Sequence, residues 1–430
     1  MLSITKKVKN KVRKLFKFFD KTRILELIQI MSSSSRHRKA LKIVHKKSTI
    51  KIAFFVIHGS VWKYDKLYKL LEIDPRYDPY IVICPYTDYD SETMFREMKI
   101  AIKFFSEKQY SIINTYNEIN KTWIDIKKTL EPDIVFFTNP HLLTKKEYYI
   151  TNFLDTLTCY CQYSFHVTHL NKMQYNQFFH NVLWKAFYET QTHYNLARQY
   201  SRIKAKNVII TGFPGVDVFF DLEYKPNNQW KNIKRSLKKI IWAPHHTIDD
   251  KKKVLSFSTF LLYSDFFLEL AFIYRDQIQI AFKPHPILRA KLSDEKVWGV
   301  EKTNLYYSKW VDLENGQLEE CSYEDLFLTS DALILDCASF MTEYLCTRKP
   351  SLFLMNDSAI NERFNIFGKI IFEHLYHAKN INEIIKFIDD VVISGKDYMK
   401  NERDKLIHEN IVRNASTNIK KELDCFCIIK

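Results

Sequence analysis

The sequence predicts an α/β protein built from two Rossmann-like domains. Short apolar runs with the composition of buried strands alternate with segments of helical periodicity in both halves of the 430-residue chain. This alternation is typical of parallel sheets covered by helices on both faces. A charged stretch at residues 221–239 separates the two series and predicts an interdomain linker. The chain length also favours two domains.

The first half begins after a polar stretch, MSSSSRHRK at residues 31–39, which predicts a linker. The apolar runs that predict strands here are KIAFFVIHGS (51–60), YIVICP (80–85), DIVFFTNP (133–140), TCYCQYSFH (158–166) and NVIITGFPGVD (207–217). The segments that predict helices are VWKYDKLYKLLEI (61–73), SETMFREMKIAIKFFSEKQ (91–109), YNEINKTWIDIKKTL (116–130) and the aromatic-rich YNQFFHNVLWKAFYET (175–190).

The second half repeats the alternation. Its predicted strands are KIIWAP (239–244), QIQIAFKPHP (277–286), DALILD (331–336) and PSLFLM (350–355). Its predicted helices are VLSFSTFLLYSDFFLELAFIYR (254–275), YEDLFLTS (323–330) and SFMTEYLCTRK (339–349), and the last ~50 residues also have helical patterning.

The positive charge of the chain is concentrated at its N-terminus. Residues 1–51 hold 16 Lys and Arg against 2 Asp and Glu, which is +14 of the net charge of +15. Apolar residues recur among these cations at helical spacing: Ile4, Val8, Val12, Leu15, Phe16 and Phe19. A basic amphipathic helix of this kind is typical of binding to an anionic membrane surface. The alternatives are a helix packed on the body and a solvated tail.

Several classes of protein are disfavoured by composition. The body of the chain is nearly neutral and carries no nucleic-acid-binding motif, so we expect no nucleic-acid partner. We expect no transmembrane helix and no signal peptide, because no apolar run reaches 18 residues. The eight cysteines include no Cys-x-x-Cys pair and predict reduced, buried thiols of a cytosolic protein. Two Cys-x-Cys pairs leave metal binding as the alternative.

Three predicted strands of the second half end in polar residues. The first ends in Ala-Pro-His245-His246, the second in Lys283-Pro-His285-Pro, and the third in Asp336-Cys-Ala-Ser339 before a helix. Proline fixes its own φ and extends the residue before it, so the second tip is a stiff turn that aims a lysine and a histidine. Ligands of open α/β sheets bind at such strand ends. Together with a helix N-terminus, these tips predict a pyrophosphate site that needs no metal.

These three motifs, WAPHHT, KPHP and SDALILDCASFMTEYL followed by KPSLFL, resemble the CDP-glycerol glycerophosphotransferase family, which includes teichoic-acid and capsule polymerases. The resemblance covers roughly residues 155–360 and implies the two-domain GT-B fold. With the charge distribution and the predicted elements, this fold divides the chain into four parts. They are a basic amphipathic arm and linker (1–50), an N-terminal acceptor domain (51–220), a C-terminal nucleotide-donor domain (235–395) and a helical tail (396–430).

The resemblance also implies roles for individual residues. The residues that would contact donor phosphate are Lys283, His285, His245, His246, Ser339 and Asp336. Glu343, one turn into the helix, would hold the ribose hydroxyls. Ala338 stands where the family has the first of two serines. No cofactor and no metal ion is implied.

The catalytic base is left open among three histidines. The family has a His-Gly segment in its N-terminal half, and the matching stretch here is YCQYSFHVTHLN. His166 is the first candidate, although no glycine follows it, and His169 is the second. His58, in the His-Gly-Ser sequence after the first strand, is a third candidate at a position that many inverting GT-B enzymes use for the base.

The expected activity is transfer of an alditol phosphate from a CDP-activated donor to a cell-surface polysaccharide or a teichoic-acid-like or lipid-linked acceptor, with release of CMP. The protein would lie peripherally on the cytoplasmic face of the membrane. The alternative is a GT-B glycosyltransferase that uses a CMP-sugar of the sialic acid or Kdo type. A non-enzymatic binding module tethered by the arm is a third reading. The alditol, the acceptor and the oligomeric state stay open, because a fold does not determine a substrate.

Overall fold

A computed structural model describes residues 21–59, 62–248, 255–320, 323–357 and 359–427. It contains two large parallel β-sheets, one in each half of the chain. Each sheet buries both of its faces, because alternate residues of the central strands belong to different apolar clusters. The predicted architecture of two Rossmann-like α/β domains is therefore confirmed.

The N-terminal half is centred on a seven-stranded parallel sheet. Its strands in chain order are β1 (Ile50–Val56), β2 (Tyr77–Ile83), β3 (Ile112–Asn114), β4 (Tyr116–Asn117), β5 (Thr122–Trp123), β6 (Ile134–Phe137), β7 (Leu157–Cys161), β8 (Lys185–Tyr188) and β9 (Val208–Ile210). The large sheet has the order β3-β2-β1-β6-β7-β8-β9, and β4 pairs only with β5 in an antiparallel hairpin. On the central strand β1, Phe54 packs into the core of one face and Phe55 into that of the other.

Helices fill the connections between these strands. They are α1 (Lys21–Val44), α2 (Asp65–Glu72), α3 (Ser91–Glu107), α4 (Ile126–Thr129), α5 (Asn171–Tyr175), α6 (Phe178–Val182) and α7 (Gln191–Tyr200), with 3₁₀ turns at Lys146–Tyr148, Ile150–Asn152 and Pro214–Phe220. Helices α3 and α7 begin at side-chain caps, where Asp90 accepts from the Thr93 amide and Thr190 accepts from the His193 amide.

The single helix predicted over residues 175–190 is wrong. The segment instead forms the end of α5, the short helix α6 and strand β8. Leu183 has extended backbone and ends α6, and Phe187 then pairs with Cys161 of β7. A short apolar run suits a buried strand as well as a buried helix, and here the open edge of the sheet decides between them.

The C-terminal half is centred on a six-stranded parallel sheet with the order β12-β11-β10-β13-β14-β15. Its strands are β10 (Lys238–Ala243), β11 (Ile278–Phe282), β12 (Gly316–Leu318), β13 (Ala332–Leu335), β14 (Ser351–Leu354) and β15 (Tyr376–Ala378). Trp242 of β10 is level with Phe282 of β11 and with Ile334 of β13. The three strands therefore end side by side at one edge of the sheet, which is where the predicted polar tips follow.

The helices of this half are α8 (Phe260–Ile273), α9 (Leu288–Leu292), α10 (Gly299–Asp312), α11 (Glu324–Thr329), α12 (Ala338–Leu345), α13 (Ile366–Glu373), α14 (Ile381–Lys386), α15 (Lys400–Asn410) and α16 (Ala415–Cys427). A 3₁₀ turn covers Ile360–Arg363, and α14 continues into a π-helical segment at Phe387–Ile393. Helix α10 lies in a region where the sequence predicts no element.

The predicted polar linker at residues 31–39 is wrong, because these residues lie inside the 24-residue helix α1. The serines do not break the helix, since the Oγ atoms of Ser32 and Ser33 donate to the carbonyls of Ile28 and Ile30, both at 2.7 Å. The buried residues of α1 recur every three or four positions: Ile30, Ser33, His37, Ala40 and Val44. The amphipathic pattern predicted before residue 20 lies outside the described residues.

Helix α16 returns to the N-terminal half and closes the fold. Ile419 and Leu423 are completely buried in the same apolar cluster as Phe54 of β1. The N-terminus of this helix is capped by Asp217 of the N-terminal half. The Asp217 carboxylate accepts from the Ala415 and Ser416 amides at 2.8 Å each. A carboxylate at a helix N-terminus is a favourable arrangement. No helix in the described ranges has the length and apolar character that a membrane span requires.

The two halves are joined by a backbone pairing that we call the interdomain pairing, between residues 166–169 and 363–365. Thr168 and Phe364 form an antiparallel bridge. The His169 amide donates to the Arg363 carbonyl at 2.9 Å, and the Asn365 amide donates to the Val167 carbonyl at 2.8 Å. Val167 and Phe364 of this pairing are buried in one apolar cluster with Phe367 of α13, so the loop that carries His166 is attached to the C-terminal half.

Replacing Gly368 by Ala is expected to destabilise the interdomain pairing. A Cβ at this position would lie 2.2 Å from the Val167 carbonyl oxygen. In an ordinary helix Gly to Ala stabilises by about 1 kcal/mol. Here the clash should reverse the sign and lower the free energy of unfolding by about 1–3 kcal/mol, measured by urea denaturation.

Gly395→Ala is the matched control. A Cβ at Gly395 would meet no atom within 4 Å. The positive φ of 70° is therefore the one source of strain in this variant, and it should lower the free energy of unfolding by about 1 kcal/mol. A stabilised Gly368→Ala protein would show that the two halves do not approach this closely.

Candidate functional site

The structure brings the predicted strand tips together. His245 and His246 follow β10, and Lys283 and His285 follow β11. The ring centroid of His246 lies 4.4 Å from that of His245 and 4.2 Å from that of His285. The His285 amide also donates to the Pro244 carbonyl at 3.1 Å, so the two tips are linked through the backbone. The three rings form one half-buried cluster.

Asp336 supports this cluster through hydrogen bonds to the backbone of His245 and to Thr259. Its side chain is completely buried after β13. One carboxylate oxygen accepts from the His245 amide, and the other accepts from the amide and the hydroxyl of Thr259. Burial raises the pKa of Asp336 to about 7, although these donors oppose the shift. Both oxygens therefore have protein partners, and Asp336 positions the backbone of His245.

The hydrogen bonds of two histidines determine which ring nitrogen carries the proton. The Ile287 amide donates to Nδ1 of His285 at 3.2 Å, so the ring proton of His285 is on Nε2. Thr247 Oγ1 already accepts from the amides of Phe257 and Ser258, so its hydroxyl donates to Nδ1 of His245. His245 therefore also carries its proton on Nε2.

Two N–H groups in this cluster favour an anion over a metal ion. His245, His246 and His285 are the one group of three among the described residues with ligand atoms close enough for a metal, within 4.8 Å of one another. A metal-bound histidine normally donates its second N–H to an acceptor, whereas Nδ1 of His245 and of His285 accepts here. Burial lowers the pKa of His285 to about 3 and that of His245 far below its usual range. Neutral rings with Nε2–H groups are suited to hydrogen-bond phosphate oxygens.

Lys283 and Ser339 lie at the same edge of the sheet. Lys283 is buried, and its amide donates to the Trp242 carbonyl at 2.8 Å. Burial raises the pKa of Glu319, and the hydrogen bond from Gln317 and then the charge of Lys283 oppose this shift. Ser339 is half-buried in the first turn of α12, whose preceding residue Cys337 makes no side-chain cap. The amides that begin α12 are thus placed beside the tip of β13, as the sequence predicts.

Glu343 lies deeper than its predicted role requires. It is 1% exposed, and one carboxylate oxygen accepts from the Tyr323 hydroxyl. Lys63 of the N-terminal half lies over the Tyr323 ring at 4.1 Å and 3.5 Å from a Glu324 oxygen. Burial raises the pKa of Glu343 to about 7, and Lys63 opposes this shift. The sequence contains no signal for Lys63, which approaches this group only through the packing of the two halves.

His166 is the most firmly held of the three candidate bases. Its amide donates to Oε1 of Glu189 at 3.2 Å, and its carbonyl accepts from His193 at 3.2 Å and from the Asn365 side chain. The imidazole lies edge-on to Tyr175, with a centroid distance of 5.6 Å. Burial, and then the nearby histidines, lower its pKa far below the usual range, so the ring is neutral.

The other two candidate bases have different surroundings. His169 is exposed, and its Nδ1 lies 2.9 Å from the Arg363 carbonyl in the interdomain pairing. His58 follows β1 and packs on Tyr86 at 4.9 Å, and burial lowers its pKa. Neither imidazole is buried as deeply as that of His166.

Sequence reasoning missed Glu189 and Asn365, which position the His166 loop. Glu189 follows β8, a strand that the helical interpretation hid, and it is 1% exposed. Burial raises its pKa to about 8. Asn365 caps α13 by accepting from the Gly368 amide and also bonds the His166 carbonyl. The Asn-x-x-Gly cap was a readable signal for a helix start, but its second bond to His166 depends on tertiary structure.

Comparison with solved structures identifies the fold as GT-B. The wall teichoic acid polymerase TagF, in a histidine variant, aligns with a TM-score of 0.55 at 13% identity over 95% of this chain and 97% of its own. The S. aureus MnaA–UDP structure aligns with a TM-score of 0.54 at 14% identity over 88% of this chain and 96% of its own. UDP-GlcNAc 2-epimerase from Neisseria meningitidis aligns with 0.53, at 14% identity over 87% and 99%. At this identity the likeness shows the fold alone.

The family is shown by the sequence itself. Residues 162–402 match the family described as CDP-Glycerol:Poly(glycerophosphate) glycerophosphotransferase. This region is more than half of the chain and contains all three strand tips. The chain belongs to this family and is a transferase of the glycerophosphotransferase type. No curated protein matches the full sequence significantly.

The buried carboxyl of Glu189 predicts a pH-dependent stability. Its folded pKa of about 8 lies above the ordinary value of 4.5, so the folded protein keeps a proton that the unfolded chain has lost. The contribution is fully present below about pH 4.5 and is lost as the pH rises to about 8. Relative to Glu189→Gln, which cannot ionise, the wild type should lose at least about 1 kcal/mol of unfolding free energy between pH 5 and pH 8.

Glu402→Gln, at an exposed position, serves as the control and should show no such difference. Equal pH profiles for the wild type and Glu189→Gln would mean that Glu189 is ionised in the folded protein.

The assigned tautomers predict how substitutions of His285 affect anion binding. Glutamine can place an N–H near the position of Nε2 but is a poor metal ligand, and alanine offers neither. We expect CDP affinity, measured by calorimetry, to fall about tenfold or more in His285→Ala and only a few-fold in His285→Gln. EDTA should change neither value. Loss of binding in EDTA that Zn²⁺ restores would contradict the assignment.

Proposed function

We propose that the protein transfers an alditol phosphate, with glycerol phosphate as the first candidate, from a CDP-activated donor to a cell-surface polymer or its lipid-linked primer. The observation that carries this proposal is the convergence of His245, His285 and Lys283 at the carboxyl edge of the C-terminal sheet. Together with the first turn of α12 they form a donor set for a pyrophosphate. Membership of the glycerophosphotransferase family supports a CDP-linked donor.

The reaction is an in-line displacement at the β-phosphorus of the donor. The acceptor hydroxyl oxygen forms the new P–O bond, and the P–O bond to CMP breaks. The departing CMP gains negative charge, which the Lys283 ammonium, the two imidazole N–H groups and the α12 amides stabilise. The contribution of the protein is therefore position and electrostatics, as in other phosphoryl transfers.

The acceptor proton goes to His166 in this proposal. Its imidazole is neutral and buried, and its backbone is fixed by Glu189, His193 and Asn365. Because the interdomain pairing attaches this loop to the C-terminal half, the base keeps its register with the donor site. His169 and His58 are the alternatives, and Glu343 would bind the ribose after its bond to Tyr323 is replaced.

The protein would work at the cytoplasmic face of a membrane. The basic pattern of the first 30 residues suits an anionic lipid surface. Within the described residues, the first turns of α1 carry exposed apolar side chains, which include Leu25 at 55% and Ile28 at 56% exposure. Peripheral attachment would place the acceptor domain next to a membrane-held acceptor.

The first test is CMP release by the purified protein with a membrane extract as acceptor. The donors compared are CDP-glycerol, CDP-ribitol, CMP-Kdo and CMP-sialic acid. We expect release from a CDP-alditol, lowered about 10²–10³-fold in His285→Ala and about 10²–10⁴-fold in His166→Ala. His408→Ala, an exposed histidine on α15, should have no effect.

The outcomes separate the alternatives. Release only from a CMP-sugar would replace phosphotransfer by glycosyl transfer at the same donor site. A His166→Ala protein with normal turnover, beside an inactive His58→Ala or His169→Ala protein, would move the base. Nucleotide binding without release from any donor would favour a binding module.

A further inference from the structure

A cavity lies in the N-terminal half, whereas the three strand tips lie in the C-terminal half. Its volume is about 540 Å³, within the range of roughly 300–1,000 Å³ that small-molecule sites occupy. It lies at the carboxyl ends of β1, β2 and β6, and its walls are mostly apolar and aromatic, with Phe55, Phe137, Tyr148 and Phe179 among them. The carboxyl edge of a parallel sheet is the usual place for a ligand.

One side of the cavity is formed by helix α1. Leu25 and Gln29 line it, and Leu142 lines it from the loop after β6. Leu25 is 55% exposed and Leu142 is 66% exposed, so the lining of the cavity reaches the surface at both residues. A void sealed inside a core would show no such exposed rim.

The apolar surface continues from this opening along α1. Among the side chains of α1 that the structure describes, from Arg23 onwards, the first buried one is Ile30. The large apolar side chains exposed around this position are Ile24, Leu25, Leu27, Ile28 and Met31. Exposed apolar clusters of this kind mark interaction surfaces. They directly follow the basic N-terminal residues, which indicates an anionic, apolar partner.

The cavity also has a polar end. His141 and Gln177 line it, and the Gln177 amide lies 3.3 Å from Nδ1 of His141. The His166 imidazole lies edge-on to Tyr175, two residues before Gln177, with a centroid distance of 5.6 Å. The polar end of the cavity is therefore on the side of the proposed base.

We propose that this cavity binds the hydrocarbon chain, acyl or isoprenoid, of a membrane-held acceptor that carries an anionic headgroup. The chain enters between Leu25 and Leu142 from the surface formed by α1, and the headgroup lies towards His141 and His166. This inference rests on the proposed function, since it names the class of acceptor for the same site. It explains why an enzyme for polar substrates has an apolar cavity beside its acceptor region.

The test measures lipid binding without the donor. Full-length protein is titrated calorimetrically with farnesyl phosphate and with dodecyl phosphate, and with inorganic phosphate and glycerol 3-phosphate as headgroups without a chain. We expect one or both chain-bearing phosphates to bind at least about tenfold more tightly than either headgroup. Binding of all four at one affinity would overturn the proposal, because the chain would then contribute nothing.

Two matched variants locate the binding. Leu142→Glu puts a charge at the rim of the cavity, and exposure of Leu142 keeps its cost to folding small. It should weaken binding of the chain-bearing phosphate about tenfold or more. Ile119→Glu, at a 90% exposed position that does not line the cavity, should bind like the wild type. Equal affinities in both variants would overturn the proposal.

The same variants separate this inference from the proposed function. Ile119→Glu should release CMP like the wild type with both acceptors, whereas Leu142→Glu should release it more slowly with the lipid acceptor than with a short water-soluble polyol phosphate. If the wild type released CMP but did not bind the chain-bearing phosphates, the cavity proposal would be wrong and the proposed reaction would stand. If it bound them in a way that Leu142→Glu weakens, but released CMP from no donor, the proposed reaction would be wrong and the lipid-binding cavity would stand.

Discussion

The interdomain pairing is the contact on which the site depends. It joins two sheets whose strands lie in different apolar clusters, and it does so through the backbone of the loop that carries His166. Backbone hydrogen bonds of this kind leave little freedom to either partner, and the close approach of Gly368 to Val167 removes more. The candidate base thus belongs to the N-terminal half in sequence and is held by residues of both halves. Catalysis by position requires such a fixed relation between acceptor and donor groups.

Burial determines the charge state of most of the chemical groups. His245 and His285 at the strand tips and His166 in the N-terminal half are neutral because desolvation disfavours their charged forms. The same effect raises the pKa of the carboxyls of Glu189, Asp336 and Glu343. The site therefore combines one buried lysine with neutral N–H donors. An arrangement of neutral donors can accept the charge of a leaving nucleotide without holding it as strongly as a cluster of cations would.

The apolar cavity and the three strand tips lie at the carboxyl edges of different sheets. The edge of the C-terminal sheet is polar, and its polar tips follow β10, β11 and β13. The cavity in the N-terminal half is apolar beyond His141 and reaches the surface beside the exposed turns of α1. In the proposed reaction, this division would let a water-soluble nucleotide and a membrane-held acceptor reach one reaction centre from two environments.

The sequence by itself determined the fold class and the convergence of three polar strand tips at one edge of the C-terminal sheet. Strand tips are local features: the prolines of the Lys-Pro-His-Pro tip set its direction, and parallel strands bring neighbouring tips to one edge. Local patterns were insufficient where an apolar or polar run fits two structures, as for strand β8 and for the serines inside α1. The tertiary structure alone decided which distant groups meet. Across the halves these are Asn365 with His166 and Lys63 with Tyr323, and within the N-terminal half α1 meets the loops that line the apolar cavity. These contacts join residues far apart in sequence, and their formation depends on the packing of complete sheets, which no local pattern records.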